Sequence, residues 1–441
     1  MNKKAGIIAA FFLLAFVVLY VQAGETILIV NGKIVPVSSK PLSNGSLLIE
    51  DGKIVEIGAD IEAPSGAVVI DAEGMIVFPG MVAVMTGLGV TGYPGAGNDV
   101  NETGAATPYV DPFDALNPED STIEVTRMEG VTTAMTVSGT ANVINGQSLV
   151  INLAGNLAED MVVKRGAAQI FNMDAKGRSV YGSGQPGDYP ATRPGIVALI
   201  RKKLNEAELY AAKKAAAEEK SKDGKENEAR PFEMELDKEA LVPVIQGKDP
   251  VVFITENEVS IRNALRLIEE YGLKGIIRAR TGILKYADTL AAKKIPVIWA
   301  GATAIPGRWE PFDKNYRTAS VLAEKGVLFC FDQFGSGVNS HNVRNMNVPA
   351  AISVAHGLSE DAAYEALTIN PAKILGVDDL LGSLEEGKTA NLAIWTGSPI
   401  QMRSRINKVI IKGRVIPMAS IQTRLRDRFE KIVQERMSRK R

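Results

Sequence analysis

The chain has 441 residues, 46% of them hydrophobic, and carries 50 basic against 51 acidic residues. That length buries a large core and suits a barrel plus a minor domain, and the balanced charge implies no polyanion such as nucleic acid as a partner. Two histidines, His341 and His356, and one cysteine, Cys330, exclude an internal disulfide framework, a Cys-rich zinc site and an all-histidine site of three or more ligands.

The chain opens Met1-Asn-Lys-Lys, continues as an apolar run from Ala5 to Tyr20 and ends it with Val21-Gln-Ala-Gly24. Two lysines, an apolar stretch and small residues at a cleavable bond predict a signal peptide over residues 1–23 and an exported, periplasmic or secreted protein. The competing reading is an uncleaved anchor, because the run approaches the roughly 17 to 25 residues of a spanning helix. The membrane enters only through that segment.

From Thr26 short β-rich runs follow: Ile27-Leu-Ile-Val, Lys33-Ile-Val-Pro-Val, Ser46-Leu-Leu-Ile, Lys53-Ile-Val-Glu-Ile and Val68-Val-Ile. Asn31-Gly32 and Asp51-Gly52 read as hairpin turns, which makes the region a meander. The stretch Val69 to Val90 then carries one apolar strand through a Pro79-Gly80 corner into another. Beyond it, strands at Thr132–Val137, Val251, Gly275, Pro296 and Val327 alternate with helical patterns such as Ser260 to Tyr271, the signature of βα units. Residues 91–118 and 174–195 read as long loops at strand ends. Residues 203–239, dense in Ala, Lys and Glu, predict a solvated helical excursion. Strand-like sequence returns at Asn391-Leu-Ala-Ile-Trp and Ile406 to Ile416, and residues 419–441 predict a basic amphipathic helix that packs onto the barrel or a partner.

Two glycine motifs exclude themselves. Gly87-Leu-Gly-Val-Thr-Gly92 and Gly182-Ser-Gly-Gln-Pro-Gly187 have the spacing of a dinucleotide fingerprint, but no helix can follow either one, so both read as loops. No Gly-x-Ser-x-Gly elbow supports a Ser-His-Asp triad.

The Pro79-Gly80 corner, Gly130-Val-Thr-Thr, Ala141-Asn-Val-Ile-Asn-Gly-Gln147 and the run Ala366 to Trp395, which contains Gly382-Ser-Leu-Glu-Glu-Gly-Lys-Thr-Ala-Asn-Leu392, together resemble the amidohydrolase superfamily, and within it exported relatives of imidazolonepropionase. The resemblance implies an α/β fold: a (β/α)8 TIM-like barrel over residues 81–382, inserted in a small β-sandwich formed from residues 24–80 and 383–418. It also implies hydrolysis of C–N bonds at a metal site. The family's first strand presents Asp-x-His-x-His, where this chain has Ala83, Met85 and Gly87. The run that carries a later histidine is Ile254-Thr-Glu-Asn-Glu258, supplying Thr255 and Asn257, and the next is Ile277-Arg-Ala-Arg280, supplying Ala279. Only Asp332 stands where the family has its catalytic aspartate.

Gly offers no side chain and a thioether is a weak zinc ligand, so the expectation is no catalytic metal and no cofactor, with zinc returning only if the protein is a working hydrolase. Asp332 with Glu256 and Glu258, the two glutamates sharing one face of a strand, could otherwise hold Ca²⁺ or Mg²⁺ through oxygens. The bland reading pairs the glutamates with Arg278 and Arg280, pocket residues that would also neutralise Asp332. His341 is a loop candidate for the pocket, His356 an exposed helix-end residue and Cys330 core. Three function classes follow: a non-hydrolytic binding protein, or partner of an active homologue or of its own copies; a metal-dependent amidohydrolase on cyclic amides, N-acyl compounds or dipeptide-like substrates; and a metal-free hydrolase using Asp332, Glu256, Glu258 and His341.

Overall fold

The computed structural model describes residues 25–92, 99–100, 102, 104–175, 190–222, 232–304, 315–333 and 337–438. The expected leader and the Gly182–Gly187 loop lie outside them. Among the described residues no helix is long and apolar enough to cross a membrane.

The chain begins with β1 (Ile27–Ile34), β2 (Leu42–Glu50), β3 (Lys53–Gly58), β4 (Val68–Asp71) and β5 (Ile76–Pro79). Asp51-Gly52, both at positive φ, forms the expected hairpin between β2 and β3. Asn31-Gly32 does not form one. It is a bulge inside β1, with Asn31 at φ 55°, and it lets one strand pair with β4 before the bulge and β5 after it. The expected meander is therefore a sheet branched at β1.

Strands β6 (Met81–Thr86), β7 (Val131–Val137), β8 (Ile144–Asn152), β9 (Val162–Asn172), β10 (Val251–Thr255), β11 (Gly275–Ala279), β12 (Val297–Trp299) and β13 (Phe329–Phe331) form a second eight-stranded sheet in sequence order, curled into a nearly closed barrel. All neighbours are parallel except that β8 runs antiparallel to both β7 and β9. The reason is connection length: residues 138–143 are too few for the crossover that a parallel return requires. The flanking helices include α1 (Ser121–Arg127), α2 (Arg193–Lys222), α3 (Glu258–Tyr271) and, closing the barrel's lower end, α4 (Ile369–Leu375). Strands β14 (Leu392–Trp395), β15 (Ile406–Ile411) and β16 (Arg414–Ile416) then return to the first sheet, β14 pairing with β5.

Side chains alternate across the barrel wall. Val82, Met135, Val150, Ala168, Ile170, Val252, Ile276, Ile298 and Cys330 fill the interior, which Ile374, Leu375 and Val377 plug from below. Ala83, Ala134, Phe171, Phe253, Ala279, Trp299 and Phe331 face the helices. The charged excursion folds back on itself: Lys203 and Lys214 on α2 reach Asp237 at 2.9 Å and Glu239 at 2.5 Å.

The terminal helix is α5 (Ile421–Ser438). Glu124 on α1 holds its first turn by accepting from the Ile421 amide at 2.8 Å and pairing with Arg424 at 3.0 Å. Leu425, Phe429 and Val433 beyond are exposed rather than packed on the barrel.

The junction between the sheets is tight at Gly80. A Cβ there would lie 2.0 Å from Thr132 Oγ1 and 2.6 Å from Thr132 Cβ. Gly80→Ala should therefore destabilise the fold by about 3 kcal/mol, at the upper end of overpacking costs. Gly58→Ala, whose nearest new contact is 3.6 Å, should cost a few tenths. Urea denaturation of the two variants compares them directly.

Candidate functional site

The carboxyl ends of the barrel strands converge on a charged mouth. Arg278 shares a register layer with Ile254 and Ile298, and through Ile298 with Cys330, so its guanidinium rises from an apolar layer. It meets Asp332, just past β13, with Nε donating to Oδ2 at 2.6 Å; the two side chains are 5% and 1% exposed. Of the two arginines expected near Asp332, Arg278 makes the pair. Arg280 points outward, 55% exposed, and reaches Glu256 at 3.5 Å.

Glu256 stands between the arginines, with Arg278 Nη1 at 3.9 Å from its other oxygen. Its backbone is pinned by Asp174, beyond the end of β9, whose Oδ2 accepts from the Glu256 amide at 2.8 Å. Asp174 Oδ1 also accepts from Asn257 Nδ2 and Arg193 Nε, each at 3.3 Å. The sequence reading did not single out Asp174. Its available signal is an Asp two residues past a strand, after Asn172.

The expected Glu256 and Glu258 strand face does not exist, because β10 ends at Thr255. Asn257 is the N-cap of α3, its Oδ1 accepting from the Val259 and Ser260 amides at 3.0 and 3.3 Å. Glu258 is the first residue of that helix, where its charge suits the helix N-terminus, and it pairs with Lys285 at 2.9 Å. The two glutamates thus have separate partners.

The residues that the resemblance sets at the family's ligand positions have the following surroundings. Met85 is buried in the barrel interior at φ 56°. At Gly87, a Cβ would lie 2.9 Å from Ser340 Oγ and 3.0 Å from Thr91 Oγ1, two hydroxyls that bond each other at 2.6 Å. Thr255 Oγ1 donates to the Arg278 carbonyl at 2.9 Å, and Ala279 faces the helices.

His341 is exposed on the helical turn Gly337–Asn345. His356, expected exposed, is half-buried, with Nδ1 2.8 Å from the Ile352 carbonyl and its ring 4.9 Å from that of Tyr316. Cys330 is fully buried, and burial, reinforced by the Asp332 charge, pushes its thiol well above the ordinary range. That disfavours the thiolate a nucleophile requires.

The Gly87–Gly92 loop also has an occupant for its amides. Asp120, the N-cap of α1, accepts from Gly89 and Gly92 at 2.8 and 3.0 Å and from Thr122 at 2.8 Å. A protein carboxylate fills the place that a phosphate would need.

Arg278→Met would leave Asp332 buried beside Cys330 without its closest cation. The expected loss is about 3 to 5 kcal/mol of unfolding free energy, as for breaking a buried pair from one side. Arg278→Met with Asp332→Leu should recover most of that loss, because replacing both partners removes the stranded charge. Chemical denaturation of the two singles and the double closes the cycle.

The model of the Amidohydrolase family matches residues 100–416. Amidohydrolase tasK of Hapsidospora irregularis is 23% identical over 396 residues, which cover 84% of this chain and 39% of that protein's length. Imidazolonepropionase of Klebsiella pneumoniae (strain 342) is 22% identical over 399 residues, covering 85% of this chain and 92% of the enzyme. Among solved structures, an amidohydrolase from Thermotoga maritima MSB8 superimposes with a TM-score of 0.79 at 31% identity, covering 88% of this chain and 99% of that one. With the family model spanning most of the sequence and the barrel and terminal sheet in place, the chain belongs to the Amidohydrolase family.

Proposed function

We propose that this family member binds a small polar molecule at the barrel mouth and does not hydrolyse C–N bonds through a zinc-bound water. The observation that carries the reading is the 2.6 Å contact between Arg278 Nε and Asp332 Oδ2. In the metal-dependent reaction an aspartate at this position binds the ion and takes a proton from the attacking water, while the ion brings that water's pKa from about 15.7 toward 7. A carboxylate held by a guanidinium does neither.

The donor set supports the same reading. Zinc sites take about four ligands, mostly nitrogen or sulfur. Here the aligned positions offer a thioether, no side chain, an engaged hydroxyl, an engaged carboxamide and a methyl group. Among the described residues no group of three or more His, Cys, Asp or Glu side chains is placed to hold a metal. These residues do not fit the metal that the family implies.

Among the described residues, Arg280 and Glu256 are a cation and an anion of the mouth that reach solvent, 55% and 38% exposed, and such a pair suits an amide or a zwitterion.

Zinc measured by elemental analysis after growth in zinc-supplemented medium and mild dialysis should fall well below one ion per chain. The same preparation should give no turnover of cyclic amides, N-acyl amino acids or dipeptides. Near-stoichiometric zinc, with a turnover that disappears in Asp332→Ala, would instead establish a working metal-dependent hydrolase.

A further inference from the structure

At the barrel end opposite the mouth, a cavity of about 430 Å³ opens between the starts of β10 to β13 and α4. That face of such barrels ordinarily serves stability, and the volume falls in the range of small-molecule sites. Its apolar lining includes Ile276, Leu328 and Ile374. Lys274, Lys293, Lys294 and Lys373 also line it, all exposed, against a single acid, Glu269.

The rim charges are unevenly used. Lys293 pairs with Glu269 at 3.2 Å, both side chains facing solvent. Lys274 acts on the half-buried Asp249 carboxylate, together with Lys164 and Lys248. Lys294 and Lys373 make no ion pair with the described residues. An apolar lining beneath surplus positive charge suits a ligand with an apolar body and one anionic head.

We propose that this lower cavity is a binding site for an amphiphilic organic anion, a carboxylate on an acyl chain of medium length. The chain lies against Ile276, Leu328 and Ile374, and the carboxylate meets the ammonium groups of Lys294 and Lys373. The site is separate from the mouth, so it stands whether or not the protein hydrolyses anything.

Calorimetric titration of the full chain with hexanoate, octanoate and decanoate tests it, with decanol as the neutral comparison and inorganic phosphate as the bare anion. The expected result is one decanoate per chain, with affinity rising roughly fourfold per methylene until the cavity is filled. Decanol and phosphate should each bind more weakly than decanoate. Lys294→Met and Lys373→Met, surface changes that leave the fold intact by circular dichroism, should each weaken decanoate by up to about fivefold, and high salt should erase the difference. Leu328→Trp, which fills the cavity, should abolish binding. Equal affinity for decanol and decanoate would overturn the role of the lysines. Chain-length independence, with phosphate competing as well as decanoate, would overturn the amphiphile, and no saturable binding would overturn the site itself.

Discussion

The close approach of the Gly80 backbone to the Thr132 side chain, where the first sheet becomes the barrel, constrains everything after it. Gly80 leaves no room for a Cβ against Thr132, and its amide donates to the Asn391 carbonyl at 2.9 Å. Asn391 ties the same point from the other chain end. Its side chain donates to Asn152 Oδ1 at 2.7 Å and to Thr133 Oγ1 at 3.2 Å, while its Oδ1 accepts from the Lys412 amide at 2.9 Å. One buried carboxamide thus joins β7, β8 and the β15–β16 turn, with both termini of the barrel held to one sheet. The Ala-Asn-Leu signature near the carboxyl end is a structural device in this chain, and its persistence implies nothing about catalysis.

The barrel so held presents an apolar interior with charge only at its upper end. Placing Arg278 one layer above Ile276 and in register with Ile298 gives a guanidinium that is desolvated unless it is paired. Asp332 meets that need, and Glu256 and Arg280 extend the network to solvent. A buried pair of this kind is weak evidence for stability, since a well-packed apolar replacement often does as well. What it does provide is a fixed geometry: β11 is locked to the residue that ends β13 at the mouth.

The fold was legible in the sequence because its signals are local. The Pro79-Gly80 corner, Asp51-Gly52 and the apolar runs of β7 and β10 to β13 each act through a few adjacent residues. Asn31-Gly32 was misleading because the dipeptide favours positive φ equally in a hairpin and in a bulge, and only the later strands β4 and β5 decide between them. The direction of β8 was legible in principle from the short connection before it. The site was harder. Reading Thr255 to Glu258 as one strand missed that Asn257 is a helix cap, although Asn followed by Glu and an apolar helical pattern carries that signal. Asp174 and Asp120 act through partners 82 and 31 residues away, at Glu256 and Gly89, and such contacts leave no trace in local spacing.

The residues that the resemblance sets at ligand positions are tied into the mouth's own bonding, which bears on how such a site could change. Gly87 is hemmed by the Thr91 and Ser340 hydroxyls, so an imidazole there meets two polar atoms before it reaches the barrel axis. Thr255 fastens the carbonyl of the residue whose guanidinium occupies Asp332, and Asn257 caps a helix and reaches Asp174. A ligand introduced at Thr255 or Asn257 would therefore break a bond that the present mouth uses. Three segments, at the ends of β6, β10 and β11, would have to change together, and intermediates that lose the Thr255 or Asn257 bonds would carry the unsatisfied buried polar groups that proteins tolerate least.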